Sequence, residues 1–274
     1  MPEHDVVMWR ADGWDARWRV GVLTPHADVG PESELRAMAP PDVGIHAARV
    51  PFGAMAAGGA MDPTIPLAPV RAFAEPPGVD DAVALLAAAP VHAIGFAFTS
   101  SAYSLGAEAE ERMIIRLRDR AEGLPVVTPT AAAVTGLRAL GAERVALVEP
   151  PWFDAELNDL GRDYFRAAGF DIVFAEPAGL PSQQQMISPS DLFDWVRKNV
   201  PTTAGAVVIG GNGFRAVGVI EALEADLDRP VLTANQVLLW AALAAAGANP
   251  ATVQGYGRIF GTPLPPPDEA HTGP

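Results

Sequence analysis

The sequence predicts an α/β fold of two pseudo-symmetric lobes, each a parallel sheet flanked by helices, with an active-site cleft between them. Three observations predict it. Short β-branched runs alternate with longer helical segments, the pattern of parallel strands joined by helical crossovers. Segments of the first half recur, in the same order, in the second. The turns that follow the strands are rich in glycine and hydroxyl residues.

The strand segments are Arg19–Thr24, His46–Pro51, Ala93–Phe98, Val126–Thr128, Val145–Val148, Ile172–Phe174, Ala206–Ile209 and Val231–Thr233. Each is short and apolar, as expected of a strand covered on both faces. Helices are expected over Ala107–Ala121, Ala131–Leu140, Ala155–Ala168, Pro189–Val200, Phe214–Ala225 and Asn235–Ala246. The repeat matches Arg19–Pro25 to Arg144–Pro150, Ala93–Thr99 to Ala206–Asn212, and Pro125–Thr128 to Pro230–Thr233. The spacing between copies shortens along the chain, as it would if the second copy has shorter connections. Residues 1–124 with 234–261 are read as the first lobe and 125–233 as the second. The proline-rich end, 262–274, is read as a disordered tail.

Composition narrows the function. The 274 residues carry a formal net charge of −14, which repels nucleic-acid phosphates and anionic membrane surfaces. Neither partner is expected. Met1–Trp18 has no basic patch leading into an apolar run, and no apolar segment is long enough to span a bilayer, so a cytoplasmic location is expected. The chain has no cysteine, which removes disulfides, thiolate ligands and thiol nucleophiles. The five histidines are scattered, without metal-ligand spacing, and no metal or cofactor is expected.

In open α/β sheets ligands bind beyond the carboxyl ends of the strands. Two facing lobes therefore point to four loops. The first, Pro25–Gly30, offers His26 and Asp28 as acid or base, with a helix cap as the plain reading of Asp28. The second, Thr99–Gly106, packs Thr99, Ser100, Ser101 and Ser104 around Tyr103, a hydroxyl density suited to holding a carboxylate and in excess of what one helix cap needs. The third, Glu149–Asp154, places Trp152 and Phe153 as a pocket wall or as lobe-packing aromatics, and Asp154 as a cap. The fourth, Gly210-Gly211-Asn212-Gly213-Phe214-Arg215, lets a backbone approach a ligand, with Arg215 as an anion clamp or an ordinary exposed arginine. A dinucleotide site is the competing reading there, and it lacks the full glycine pattern. Asn235 reads as a cap of the last helix.

At Arg19–Glu34, Arg49-Val-Pro51, Phe98-Thr-Ser-Ser101, Thr128–Arg144, Gly210–Arg215 and Pro230–Trp240 the chain resembles the maleate isomerase and arylmalonate decarboxylase branch of the aspartate/glutamate racemase superfamily. The resemblance implies two duplicated lobes with the site between them and no metal or organic cofactor. It also implies one catalytic cysteine per lobe, or in decarboxylases the second-lobe cysteine alone. Those positions fall on Phe98 and near Gly211. An asparagine of maleate isomerases falls on Asp28, and a tyrosine near Trp152 or Phe153. The carboxylate cradle at Thr99-Ser100-Ser101 looks kept.

The expected function is therefore a cofactor-independent isomerase or lyase acting on a small carboxylate or related carbonyl acid by a cysteine-free mechanism. His26, Asp28, Ser101 and Tyr103 are the catalytic candidates. Phe98, Thr99, Ser100, Trp152, Phe153, Gly210, Gly211, Asn212, Gly213 and Arg215 are the binding candidates. The alternative is a non-catalytic relative that binds a small acid. Assembly as a homo-oligomer is left open.

Overall fold

Val20, Val22 and Leu23 sit on one short run and all are buried, so the strand that carries them is covered on both faces. In the computed structural model, which describes residues 12–265, that run is β1 (Trp18–Pro25), a central strand. It pairs in parallel with β2 (Val43–Val50) on one side and β3 (Ala93–Phe96) on the other. β4 (Val126–Val127) extends the sheet beyond β3. The order is β2-β1-β3-β4. The second half repeats it: β5 (Arg144–Glu149), β6 (Asp171–Pro177), β7 (Ala206–Ile209) and β8 (Val231–Thr233) form a parallel sheet in the order β6-β5-β7-β8. Two identical topologies in one chain are what the repeat requires. β4 lies past the lobe boundary read at residue 124 but pairs with β3, so the first sheet owns it.

The crossover helices are α1 (Gly30–Met38), α2 (Leu67–Phe73), α3 (Gly78–Ala87), α4 (Thr99–Leu105), α5 (Ala107–Arg120), α6 (Pro129–Ala139), α7 (Ala155–Ala167), α8 (Pro189–Asn199), α9 (Ile220–Leu227) and α10 (Ala234–Ala245). α10 is apolar nearly all round and buried along Ala234–Leu243. It leaves β8 of the second sheet and packs on β3 and β1 of the first, and on α6. A capping box starts it: Thr233 and Gln236 exchange bonds with each other's backbone, a device stabilising by about 1 kcal/mol. Thr233, not Asn235, is thus the cap, and Asn235 is free for another task.

Two segments differ from the sequence reading, for physical reasons. Thr99–Leu105 is a helix rather than a loop, stopped by Gly106 at φ +75. Its hydroxyls therefore point around a helix and cannot all meet one ligand. The helix expected from Phe214 begins only at Ile220, after a single 3-10 turn. The backbone N–H groups of Ala216 and Val217 are given to the Glu34 carboxylate instead of to a helix. Of the proline-rich end, Trp240 Nε1 donates to the Thr262 carbonyl, and 266–274 lie outside the described residues, as do 1–11. No helix among the described residues is long and apolar enough to cross a membrane.

The lobes are stapled by two crossed tyrosine–glutamate pairs. Tyr103 of α4 donates to Glu149 Oε1 at the end of β5, at 2.9 Å. Tyr164 of α7 donates to Glu110 of α5. Both carboxyls are buried, and burial pushes both up; Glu149 reaches about 8. Room for the first pair comes from missing side chains: a Cβ at Gly210 would overlap Glu149 Oε2, and one at Gly161 would stand 2.7 Å from the Tyr103 ring.

Glu149 titrates near 4.5 when unfolded and near 8 when folded, so the native state binds the extra proton between those values. Stability from this group is complete below about 4.5 and is lost as pH rises through about 8. Glu149→Gln keeps an acceptor for Tyr103, so thermal melts from pH 5 to 9 should show a flatter decline in Tm than wild type, with the variant gaining at the alkaline end.

Candidate active site between the lobes

Phe98 and Gly211 follow β3 and β7, the matched strands of the two sheets, so the duplication alone brings them together. Between the lobes lies a cavity of about 30 Å³. Phe52, Met55, Met61, Ile65 and Phe98 wall it from the first lobe, and Trp152 and Phe153 from the second. Its polar rim is Asp28, Thr99, Ser100, Gln184 and Asn212.

A chain of buried hydrogen bonds crosses the lobes behind this rim. Thr99 donates to Asn212 Oδ1 through both its backbone N–H (2.9 Å) and its hydroxyl (2.8 Å). These residues are 113 apart, the spacing that relates Ala93 to Ala206, so they are equivalent positions of the two copies meeting face to face. Asn212 Nδ2 donates to Asn235 Oδ1 at 2.8 Å. Asn235 Nδ2 donates to Glu34 Oε2 at 2.7 Å and to the Asn212 carbonyl at 2.8 Å. Glu34 Oε1 takes the N–H groups of Ala216 (2.7 Å) and Val217 (3.1 Å). Burial raises the Glu34 carboxyl to about 7 against these donors. Because Glu34 only accepts when ionised, it fixes the Asn235 amide, which fixes Asn212, which occupies the Thr99 donors.

The expected carboxylate cradle is therefore partly filled from within. Thr99 is engaged by Asn212, and Ser101 Oγ turns away to the Val70 carbonyl at 3.4 Å. Ser100 remains at the cavity. Tyr103 is committed to Glu149 and lies outside the cavity lining. His26 is exposed, accepts the Phe52 N–H on Nδ1 at 3.1 Å and faces an outer cleft, not the cavity. Arg215 is exposed on that same cleft, its guanidinium 3.4 Å from the Ile187 carbonyl. Gly210 faces Glu149. Phe98, Thr99, Ser100, Trp152, Phe153, Gly211, Asn212, Gly213 and Asp28 are brought together.

Asp28 is buried at the cavity edge. Oδ1 accepts from Gly30 N at 2.8 Å and Oδ2 from Gln184 Nε2 at 3.2 Å, and its carbonyl accepts from Arg49. Burial raises its carboxyl, against the hydrogen bonds and the Arg49 charge that pull it down. Gln184, Glu34 and Asn235 were not singled out for the site. Gln184 belongs to a run of three glutamines between β6 and α8 whose amides reach across to the first lobe, Gln183 to the Met61 carbonyl and Gln185 to that of Gly58. Three adjacent amides in one loop were the available signal. No group of three or more His, Asp or Glu among the described residues is placed to hold a metal ion.

The arylmalonate decarboxylase family model matches residues 77–260. The chain belongs to the arylmalonate decarboxylase family. The arylmalonate decarboxylase of Bordetella bronchiseptica is 27% identical over 175 residues, covering 59% of this chain and 68% of that protein. A maleate isomerase structure from Pseudomonas putida S16 superposes with a TM-score of 0.77 at 23% identity, over 89% of this chain and 98% of that one. A Nocardia farcinica maleate cis-trans isomerase, with a covalently bound succinylcysteine intermediate, gives 0.75 at 24% identity, over 89% and 98%.

The two positions onto which the sequence resemblance puts the family's cysteines, Phe98 and the neighbourhood of Gly211, are both tightly packed. Phe98 packs its ring 4.1 Å from Phe73 and 4.9 Å from Phe52, centroid to centroid. Gly211 has φ +79, and a Cβ there would overlap Pro150 Cγ. Gly211→Cys should therefore destabilise by about 2–4 kcal/mol in urea unfolding, from overpacking and a strained backbone. A variant as stable as wild type would show that position 211 still accepts a thiol.

Proposed function

We propose that this chain is a cofactor-independent lyase that decarboxylates a small carboxylic acid of the malonate type, with Asp28 in place of a thiol as proton donor. One observation carries this reading. Among the described residues lining the cavity, Asp28 is the one side chain of an ordinarily ionising type. Two-base racemisation needs groups on both faces of a carbon, and thiol addition needs a nucleophile. Decarboxylation needs a single proton, delivered after carbon dioxide has left.

In that step the bond from the α-carbon to one carboxylate breaks, and carbon dioxide departs. The electron pair stays on the α-carbon, delocalised into the remaining carboxylate. The Asp28 carboxylic acid then protonates that carbon. The acid must be protonated at the start, and burial favours that form. With the Thr99 donors taken by Asn212, the Ser100 hydroxyl supplies a hydrogen bond to the carboxylate that stays. The apolar walls disfavour charge and so favour loss of the carboxylate lying against them. The walls also suit an apolar substituent, in keeping with the arylmalonate named for the Bordetella relative.

A second reading, a non-catalytic binder of small acids, draws on Asn212 filling the Thr99 donors and on the cavity's size. One experiment separates them. Phenylmalonate and alkylmalonates are incubated with the protein in D₂O, and the product is analysed for one deuterium on the α-carbon. Turnover should appear, decline as pH rises through the raised Asp28 value, and drop about 10²–10⁴-fold in Asp28→Asn. Acids that raise Tm without ever being consumed would establish the binder instead.

A further inference from the structure

Asp28 belongs to the first lobe, and so do the charged groups near it among the described residues. Arg49 of β2 donates to its backbone carbonyl, Glu32 of α1 pairs with Arg49 at 2.6 Å, and Glu34 lies further along α1. His26, two residues earlier, faces the outer cleft. The second lobe meets the Asp28 carboxyl with uncharged groups, the Gln184 amide and Gly213. Gln184 opens a 3-10 turn, Gln184–Met186, between β6 and α8. Its neighbours pin that turn to the first lobe: Gln183 donates to the Met61 carbonyl at 3.1 Å and Gln185 to the Gly58 carbonyl at 3.4 Å. Between these anchors the Gln184 amide nitrogen reaches Asp28 Oδ2 at 3.2 Å, while Gly30 N holds Oδ1 at 2.8 Å. A missing side chain makes the space: a Cβ at Gly213 would stand 2.0 Å from the Gln184 nitrogen and 2.8 Å from Asp28 Oδ2. Each carboxyl oxygen keeps a second lone pair, which leaves room for the acid proton.

We propose that Gln184 is a positioning residue for proton transfer: its amide holds the Asp28 carboxyl in place and stabilises the carboxylate formed as Asp28 gives up its proton. This goes beyond the decarboxylating reading and rests on it. At 3.2 Å the bond is at the long limit for a hydrogen bond, and hydrogen bonds with an ionised partner are shorter and stronger. It therefore strengthens as negative charge gathers on Asp28, the condition under which a contact lowers a barrier rather than merely binds. The residue type matters. A lysine or arginine in its place would hold Asp28 ionised and leave no acid to deliver, and an apolar residue would leave the new carboxylate one donor short. A neutral amide supports the carboxylate while still letting the acid form. Asp28 regains its proton from solvent water after the product leaves.

The test uses the full chain, phenylmalonate as substrate, and Gln184→Leu, which keeps the bulk of the side chain and removes the donor. Its kcat should fall about tenfold with KM within about twofold of wild type. The alkaline limb of its pH–rate profile should move up by about one pH unit, because the lost bond is one that favours ionised Asp28. Gln184→Glu sets a second carboxyl beside Asp28 and should move the limb further in the same direction. Gly213→Ala, whose methyl group would press between the amide and Asp28, should reproduce the Gln184→Leu shift. The Asp28 titration, followed by carbon-13 NMR of labelled aspartates and assigned by its absence in Asp28→Asn, should move in step. A limb and a titration that stay at their wild-type positions overturn the proposal, whether or not kcat falls, and leave the decarboxylating reading standing. If the wild-type chain consumes no malonate, that reading fails and the proposed role with it.

Discussion

The hydrogen-bond chain Thr99–Asn212–Asn235–Glu34 is the constraint on which the rest of the site depends. It joins the turn after β3, the turn after β7, the start of α10 and the middle of α1. Every member is buried, so a gap would leave a polar group without water or partner, at a cost of roughly 1–3 kcal/mol. The two lobes can thus meet in one register only. That register sets Asp28 beside the Asn212–Gly213 turn and closes the cavity. It also explains a local departure from regular structure: Glu34 takes the N–H groups of Ala216 and Val217, so the β7 turn stays open where a helix would otherwise begin.

Against this frame the missing thiols become specific. One position is filled by Phe98, part of a three-ring cluster, and the other is a left-handed glycine pressed on Pro150. The fold is that of the family, the Phe98 ring fills its position against Phe52 and Phe73, and a side chain at Gly211 would overlap Pro150. What is left at the cavity is a single carboxyl, Asp28, in a setting that favours its protonated form. The same preference runs through Glu34, Glu110 and Glu149, all raised by burial. An acidic surface therefore encloses carboxyls whose titration burial shifts upward.

The fold was legible because parallel strands buried on both faces leave unbroken apolar runs. β7 and β8 fall where those runs do, and β1 and β5 extend them by one or two residues. The duplication was legible for the same reason and pointed to the loops after β3 and β7, where Phe98 and Gly211 line one cavity. The site was less so. Ser101 and Tyr103 were grouped with Thr99 by closeness in sequence, but on a helix such residues point in different directions, and they serve Val70 and Glu149. His26 and Arg215 occupy site-like loops yet face the outer cleft. Asn235 read as a cap because Asn is common there, while Thr233 two positions earlier took that role. Glu34 and Gln184 act over separations of 201 and 156 residues, which no local pattern records.

One cooperative chain of hydrogen bonds holds the lobes in register. A double-mutant cycle on its two ends tests it most directly. Side-chain hydrogen bonds connect Thr99 and Glu34 through the two asparagines. Unfolding free energies of Thr99→Val, Glu34→Ala and the double variant are measured in urea. A single connected chain predicts a coupling of about 1 kcal/mol or more between these ends, since either change frees the asparagines to reorient. Additivity within about 0.5 kcal/mol would contradict it and reduce the chain to independent local bonds.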